Sequence, residues 1–432
     1  MYGKISAKDP LCCCEYVDKN SERSHVLASC CDCEALDSSC DHCIRCKPIP
    51  QKTLNDMIDT IGDRCRLPMC FGKGAIQIRL DTAIPVLLVP SSILLATLGP
   101  YFTAFSFCTL PLMIYFFYRV LTRDKLIRTD IFYTFGLTSV FLMFYTFEFV
   151  VIGYREILLW ENIVVVILFS LLLICLIRAR KDPGVLQKSS KKSNESYLKN
   201  HVAESHPVAH ILKNSFAVSD EDITDCITDR ASTKSLDSDQ VNWADSRGFI
   251  NGKLNTWCSQ CDLRRIPRSG HCPICRICVR IRCHHCLWID RCVGNNNHRF
   301  FFFGLLLSVL LGYYGSHLTL TTICTPKMYY DWFLIPDDCR YLYADLPTAL
   351  CFVSAIYTII FTTFLSFILL QQILLISQNA TSQELHQASI RGYTTCILFI
   401  RKKNNPNDRG LFWNWINFLG GNRKERYGHY DI

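Results

Sequence analysis

Residues 83–118 carry no charged side chain and are apolar almost throughout, too long for one membrane crossing of about 20 residues and nearly enough for two. Gly99-Pro100 divides the stretch, because glycine ends one helix and proline starts the next. A hairpin of two spans is expected, the first short and carrying Pro85 and Pro90. Residues 131–152 and 157–177 form two further apolar runs, and 300–325 and 346–376 complete a set of six. Glu148 and Glu161 each lie within about a turn of a span end. A carboxylate reaching interfacial water is expected there ahead of a proton or substrate path. The first ten residues hold no apolar core of the kind a cleavable signal peptide needs, so insertion is expected to rely on the internal spans.

The basic residues test this count. Arg64, Arg66, Lys73 and Arg79 precede the hairpin, and Arg119, Arg123, Lys125 and Arg128 follow it. The turn 153–156 has only Arg155, whereas Arg178, Arg180 and Lys181 come after the fourth span. Loop 316–345 has only Lys327 and Arg340, and the tail turns basic again at Arg401-Lys402-Lys403 and Arg423-Lys424. Basic loops favour the cytosolic side, so every cluster agrees with both termini being cytosolic. Half the residues are hydrophobic and 19% are charged, which argues against two or three soluble domains; the net charge of +8 sits in these flanking clusters and suggests membrane anchoring before nucleic acid. Residues 187–244 are rich in Ser, Lys, Asp and Asn and poor in aromatics, the composition of a disordered linker.

Of 26 cysteines, eleven precede Gly72, eight lie from Cys258 to Cys292 and seven are scattered. The Cys12-Cys13-Cys14 run and Cys40-x2-Cys43-x2-Cys46 are compatible with metal, with acylation at the membrane surface, or with a small domain holding buried or free thiols. Cys324 and Cys339 are candidates for a lumenal disulfide, with the unpaired form equally open. The second group reads CSQCDLRRIPRSGHCPICRICVRIRCHHCLWIDRC. One structural zinc needs four thiolate or imidazole ligands, and this segment has enough for two. The pairs Cys258/Cys261 and Cys272/Cys275 can each bite one ion, and His271, Cys278, His285 and Cys292 can complete the sets, although spacing does not partition them. Cys283, His284 and Cys286 are left over. A thiol two residues from an imidazole is the pair that generates a nucleophilic thiolate, and Cys286 sits just before the fifth apolar run that a lipid substrate would enter beside. The plain alternative makes Cys286 a spare or third-site ligand.

The module resembles that of the DHHC-type protein S-acyltransferases, and the chain resembles their six-span subgroup. Asp182-Pro183-Gly184 follows the fourth span, Asn297 and Phe300 open the fifth, and Thr381 and Glu384 match a TTxE motif in which Ser382 replaces the second Thr. Asp408-x-Gly410-x3-Asn414, with Phe418 and Gly420, matches a C-terminal family motif. The resemblance implies an α-helical polytopic membrane protein of about six transmembrane helices with a cytosolic zinc-binding cysteine-rich module. The implied segments are a cytosolic Cys-rich region (1–82), four spans (83–177), a polar linker (178–256), the zinc-binding module (257–299), two spans (300–376) and a cytosolic tail (377–432).

Carried over by position, Cys258, Cys261, His271 and Cys278 would hold one zinc, and Cys272, Cys275, His285 and Cys292 the other. His284 would be the general base and Cys286 the residue acylated by palmitoyl-CoA or another long-chain acyl-CoA, then relieved of its acyl group by a cysteine of a cytosolic or membrane protein. The spans would enclose the acyl chain, and the membrane would be that of the endoplasmic reticulum or Golgi. One position departs: Cys283 stands where the signature has Asp. In a serine protease, losing the acid that orients the imidazole slows the reaction by about 10⁴. The departure leaves open a slowed enzyme, a Cys283 thiolate that partly substitutes, a different nearby acid, or a catalytically weakened zinc-stabilised membrane scaffold. Eight Arg against two Asp between Cys258 and Arg299 suit the phosphates of CoA. Nucleic acid is not expected for a module tethered between spans.

Overall fold

The computed structural model describes residues 15–17, 23–26, 44–45, 62–68, 75–119, 128–154, 158–187, 249–250, 253–254, 257–330, 333–396 and 399–420. The cysteines at 12–14, 40, 43 and 46, nearly all of the polar linker, and Arg423-Lys424 lie outside the described residues.

Helix α1 (Leu80–Ala96) is followed by α2 (Pro100–Phe117), and the break falls at Gly99, whose positive φ of 155° suits glycine, with proline opening α2. Helix α3 (Ile131–Thr146) continues through a π turn (Phe147–Val151) into a short piece (Ile152–Tyr154), and α4 (Leu159–Ala179) follows. Helices α5 (His298–Ile323) and α6 (Leu346–Ser377) come after the cysteine-rich segment. Among the described residues, five helices are long and apolar enough to cross a membrane, namely α2 to α6. At 17 residues, α1 is about 26 Å long, short of a hydrocarbon core of about 30 Å. It also holds Pro85 and Pro90, each lacking a backbone N–H.

The chain divides into two compact units: residues 1–181, 285–293 and 297–374 make the first, and 182–284, 294–296 and 375–432 the second. In the first, α4 packs along α5 and α1 against α3 and α2. Val89, Ile93, Phe135, Val353 and Tyr357 form one buried cluster. Small residues let helices approach: a Cβ on Gly312 of α5 would strike Thr362 of α6. Several hydroxyls inside the bundle bond to the preceding turn, as Ser139 Oγ does to the Phe135 carbonyl, which satisfies them without water. At one end, Asp130 at the start of α3 accepts from Arg79 before α1 (2.7 Å) and from Arg180 after α4 (2.8 Å). At the other, Tyr154 after α3 donates to Asp345 just before α6 at 2.8 Å. Cys324 and Cys339 form a disulfide beside a strand pair (Thr325–Tyr330 with Phe333–Asp338).

The second unit is built on short hairpins. Strands β1 (Trp257–Cys258) and β2 (Leu263–Arg264) pair, as do β3 (Gly270–Cys272) and β4 (Ile277–Val279). Each C-x2-C ends in a residue with left-handed backbone, Asp262 (φ 50°) after Cys261 and Arg276 (φ 55°) after Cys275, so one local turn is used twice. Asp182-Pro183-Gly184 clasps β4. The Asp182 carboxylate accepts the N–H groups of Gly184 and Val185, the Leu186 N–H donates to the Cys278 carbonyl, and Val185 bridges to Val279. Gly294 fits against this clasp, since a Cβ there would meet the Pro183 carbonyl and Val279 side chain at 2.4 Å.

After α6 come α7 (Ser382–Ile390) and α8 (Leu411–Leu419). Thr381 and Glu384 form a reciprocal capping box that starts α7. Asp408, Gly410 and Asn414 close the turn before α8. Asp408 accepts from the Gly410 N–H (2.9 Å) and the Asn414 side chain (2.8 Å), and Asn414 also donates to the Ser377 carbonyl (2.8 Å).

Candidate active site and metal centres

Two groups of four cysteine and histidine residues could hold metal ions: Cys258, Cys261, His271 and Cys278, and Cys272, Cys275, His285 and Cys292. In each group the ligand atoms lie within 4.8 Å of one another. In the first, pairing of β3 with β4 sets Cys278 opposite His271, and the His271 Nδ1 lies 3.6, 3.2 and 3.8 Å from the sulfurs of Cys258, Cys261 and Cys278. Zinc bonds of about 2.3 Å to sulfur and 2.0–2.1 Å to nitrogen place the two atoms roughly 3.5 Å apart along a tetrahedral edge, so this donor set fits the ion. In the second, the Cys275 N–H points at the Cys272 sulfur (3.4 Å), and the His285 Nδ1 lies 4.0 Å from the Cys292 sulfur. The other His285 nitrogen lies 4.0 Å from the buried carboxylate of Asp290, which Arg128 grips at 2.6 Å. A carboxylate behind a metal-binding imidazole fixes its tautomer and orientation.

His284–Cys286 is a strand, β5, pairing with β6 (Arg291–Val293). Side chains alternate along a strand, so His284 and Cys286 share one face and His285 takes the other. Two adjacent histidines are thereby sorted. Cys286 is buried, with 7% of its surface exposed.

Cys283 is more deeply buried, at 1%. Its sulfur lies 3.3 Å from the Ser382 hydroxyl and receives the Ser382 N–H at 3.4 Å, while its carbonyl receives the Gln383 N–H. Burial pushes the Cys283 thiol up. The charge of His284, a hydrogen bond with that imidazole and the two groups of Ser382 outweigh it and leave the thiol lowered to about 7. Ser382 stays in place because Glu384, two residues on, makes a bidentate pair with Arg268 at 2.8 and 2.9 Å. Arg268 also donates to the Asn379 carbonyl at 2.8 Å.

Two residues beyond Cys286, Trp288 stands edge-on to Phe132, Phe135 and Phe361, with ring centroids 5.9, 6.2 and 5.5 Å away. Trp288 and Ile289 line an apolar cavity of about 190 Å³ that runs between α3, α4, α5 and α6, with Leu172, Phe301, Leu305 and Tyr357 among its walls. Chain connectivity alone holds the Cα of Cys286 within about 7 Å of that of Trp288.

The eight arginines of the module do not act as one patch. Arg268 is committed to Glu384, Arg265 donates to the Trp257 carbonyl and Arg282 to Gln383. Arg264, Arg276 and Arg280 are exposed. Asn297 is buried and spans the Ala179 carbonyl (2.7 Å) and the Cys292 carbonyl (2.9 Å), joining the end of α4 to the start of α5. Sequence reading passed over Arg268, Asp290 and Trp288. Arg268 and Glu384 are 116 positions apart, and no local pattern links them.

A family profile described as DHHC palmitoyltransferase matches residues 252–389. The chain is 31% identical to palmitoyltransferase ZDHHC23 of Mus musculus over 414 residues, which cover 95% of this chain and 93% of that protein. It is 33% identical to palmitoyltransferase ZDHHC23 of Homo sapiens over 380 residues, 88% and 90% of the two chains. The N-terminal LCCCEYVDKN run resembles the same vertebrate member. A probable protein S-acyltransferase 6 of Arabidopsis thaliana is 30% identical over 168 residues, 38% of this chain and 37% of that protein. The chain belongs to the DHHC palmitoyltransferase family of protein S-acyltransferases, and is a multi-pass membrane protein.

Proposed function

We propose that this chain transfers a long-chain acyl group, palmitoyl or similar, from acyl-CoA to protein cysteines through a thioester on Cys286. The observation that carries the reading is the apolar cavity, whose walls include Trp288 and Ile289, two and three residues past Cys286. An acyl chain laid in that cavity would bring its carbonyl toward Cys286, two residues from the Trp288 wall.

His284 takes the proton of Cys286, and the thiolate attacks the thioester carbonyl of the acyl-CoA. The carbon–sulfur bond to CoA breaks, and the leaving CoA thiolate recovers the proton from His284. A substrate thiol then attacks the acyl-Cys286 carbonyl and gives its proton to His284, and Cys286 leaves as the thiolate that takes it back. Cys283, held by Ser382, stands where an orienting acid would and positions the imidazole as hydrogen-bond acceptor. Exposed Arg264, Arg276 and Arg280 remain for the phosphates of CoA.

The two ligand groups are assigned to two structural zinc ions. Bound zinc supplies folding energy to the short hairpins, which have little core of their own. The contacts of Asp130 and of Tyr154 with Asp345 support an alternating layout of spans. The Cys324–Cys339 disulfide supports an oxidising side for their loop, hence a cytosolic module, linker and tail in the endoplasmic reticulum or Golgi.

The test is mass spectrometry of purified protein after incubation with palmitoyl-CoA. The peptide carrying Cys286 gains a hydroxylamine-labile palmitoyl group, and Cys286→Ser removes it with zinc content unchanged. Undiminished labelling in Cys286→Ser overturns the mechanism. The replacement of the motif acid by Cys283 favours one second reading, a zinc-stabilised scaffold without turnover, and a wild type that never loads selects it.

A further inference from the structure

Helix α8 ends the described chain with LFWNWINFL, and its side chains divide by face. Asn414 and Phe418 point into the protein and are buried. Phe412, Trp413, Ile416 and Leu419 fall within about 120° of arc on the opposite side at 100° per residue, and all four are exposed, Phe412 at 70% and Trp413 at 58%. No polar side chain interrupts that arc.

The position of α8 is tied to the end of a membrane span. Asn414 donates to the carbonyl of Ser377, the last residue of α6, and the Trp415 indole N–H donates to the Ser377 hydroxyl at 3.1 Å. A basic turn is pinned to the next residue: Asn405 donates to the Gln378 carbonyl at 2.7 Å, and the Ile400 N–H donates to the Gln378 side chain at 2.9 Å. Between those two anchors, Arg401, Lys402 and Lys403 are all exposed. At 32 residues, α6 is about 48 Å long, a little more than the 40–45 Å of a bilayer with its headgroups, so Ser377 falls at about headgroup level. Nine helical residues reach about 13 Å, which keeps all of α8 near that level. An aromatic, apolar face at that depth, flanked by exposed lysine and arginine, matches the amphipathic helices that lie in the plane of an interface.

We propose that α8 and the Arg401–Lys403 turn dock on the anionic lipid surface at the end of α6, the apolar arc entering the headgroup boundary and the basic side chains meeting lipid phosphates. The contact rests on the proposed topology only for which leaflet this is, and that is read separately from tag accessibility. It also bears on the catalytic centre. The chain from Ser377 leads in five residues to Ser382, which holds Cys283, so lipid contact steadies the segment that braces the active site. Each basic residue near an anionic surface adds attraction, and three make the docking depend on lipid charge.

The full chain carrying a photoreactive benzoylphenylalanine at Phe412, or at Trp413, is reconstituted in vesicles of phosphatidylcholine alone or with phosphatidylserine. After irradiation the α8 peptide is weighed. Lipid adducts are expected at both positions, several-fold more abundant with phosphatidylserine, and Arg401→Gln/Lys402→Gln/Lys403→Gln removes that increase. Three results overturn the proposal: protein adducts in place of lipid, which make the face an interface with a partner or second copy; no adducts at all; or equal adducts at Asp262, an exposed residue of the first knuckle turn. Cys286 loading in the same vesicles reports on the catalytic reading independently.

Discussion

The sulfur of Cys283 and the hydroxyl oxygen of Ser382 lie 3.3 Å apart, and the Ser382 backbone N–H points at the same sulfur. Both positions depart from the family pattern, Cys for Asp and Ser for Thr, and the two departures meet in space. A carboxylate at 283 would find two donors already aimed at it. Cys283→Asp is therefore expected to load palmitoyl from palmitoyl-CoA at least tenfold faster in a single turnover, equivalent to about 1.4 kcal/mol. His284→Ala nearly abolishes loading in either background, because residue 283 acts only through the imidazole. An unchanged rate in Cys283→Asp would mean the thiol already supplies all the orientation the site needs.

Removing Ser382's hydroxyl is the complementary change. Ser382→Ala takes away one contact of the Cys283 sulfur and leaves the backbone N–H, so a loss of about threefold to tenfold in loading is expected, in line with a hydrogen bond worth roughly 1 kcal/mol. Zinc content and unfolding temperature should not move. A parallel fall in zinc would show that Ser382 supports the fold and has no separate part in positioning.

The Arg268–Glu384 pair is largely buried, with 9% and 15% of the two side chains exposed. Taking one partner away strands the other charge, so Arg268→Met should destabilise by about 3 kcal/mol and lower the unfolding midpoint in detergent. Arg268→Met/Glu384→Leu should recover much of that stability. If the single variant unfolds like wild type, the pair is not what holds Ser382 near Cys283.

Two structural sites imply about two zinc ions per chain. Cys272→Ser should lower the bound zinc to about one and reduce expression, since structural zinc contributes folding energy directly. Plasma emission spectroscopy on purified protein measures it. Well-folded wild type with a single zinc would refute the assignment of two ligand groups.

Tags placed near Ser190 and at the C-terminus should both be reached from the cytosol, whereas a tag in loop 316–345 should be reached only from the lumen. Cys324 and Cys339 should resist alkylation until reduced. A linker and tail on opposite sides would contradict an even number of crossings after the module.

The apolar runs, the two C-x2-C turns and the order of motifs were legible in the sequence, because each is a local property. Apolar length decides whether a helix suits a bilayer, and a pair of cysteines three apart decides its own turn. Even so, α3 continues through a π turn and α1 is too short to count as a clear span, differences of local geometry that apolarity does not encode.

Other features needed the tertiary structure. Spacing set His285 with the ligands and His284 apart from them, and the strand at 284–286 supplies the physical reason by giving them opposite faces. The carboxylate behind His285, the arginine behind Glu384 and the serine behind Cys283 lie 5, 116 and 99 positions from their partners. A side chain's preferences are written in its own residue, but which distant group meets it depends on how every helix and hairpin packs at once. By itself the sequence pointed to a membrane enzyme of this family, with cysteine turns that could hold metal and Cys286 as its candidate nucleophile. The folded chain decided what surrounds that nucleophile, because burial and hydrogen bonding belong to pairs that only packing brings together.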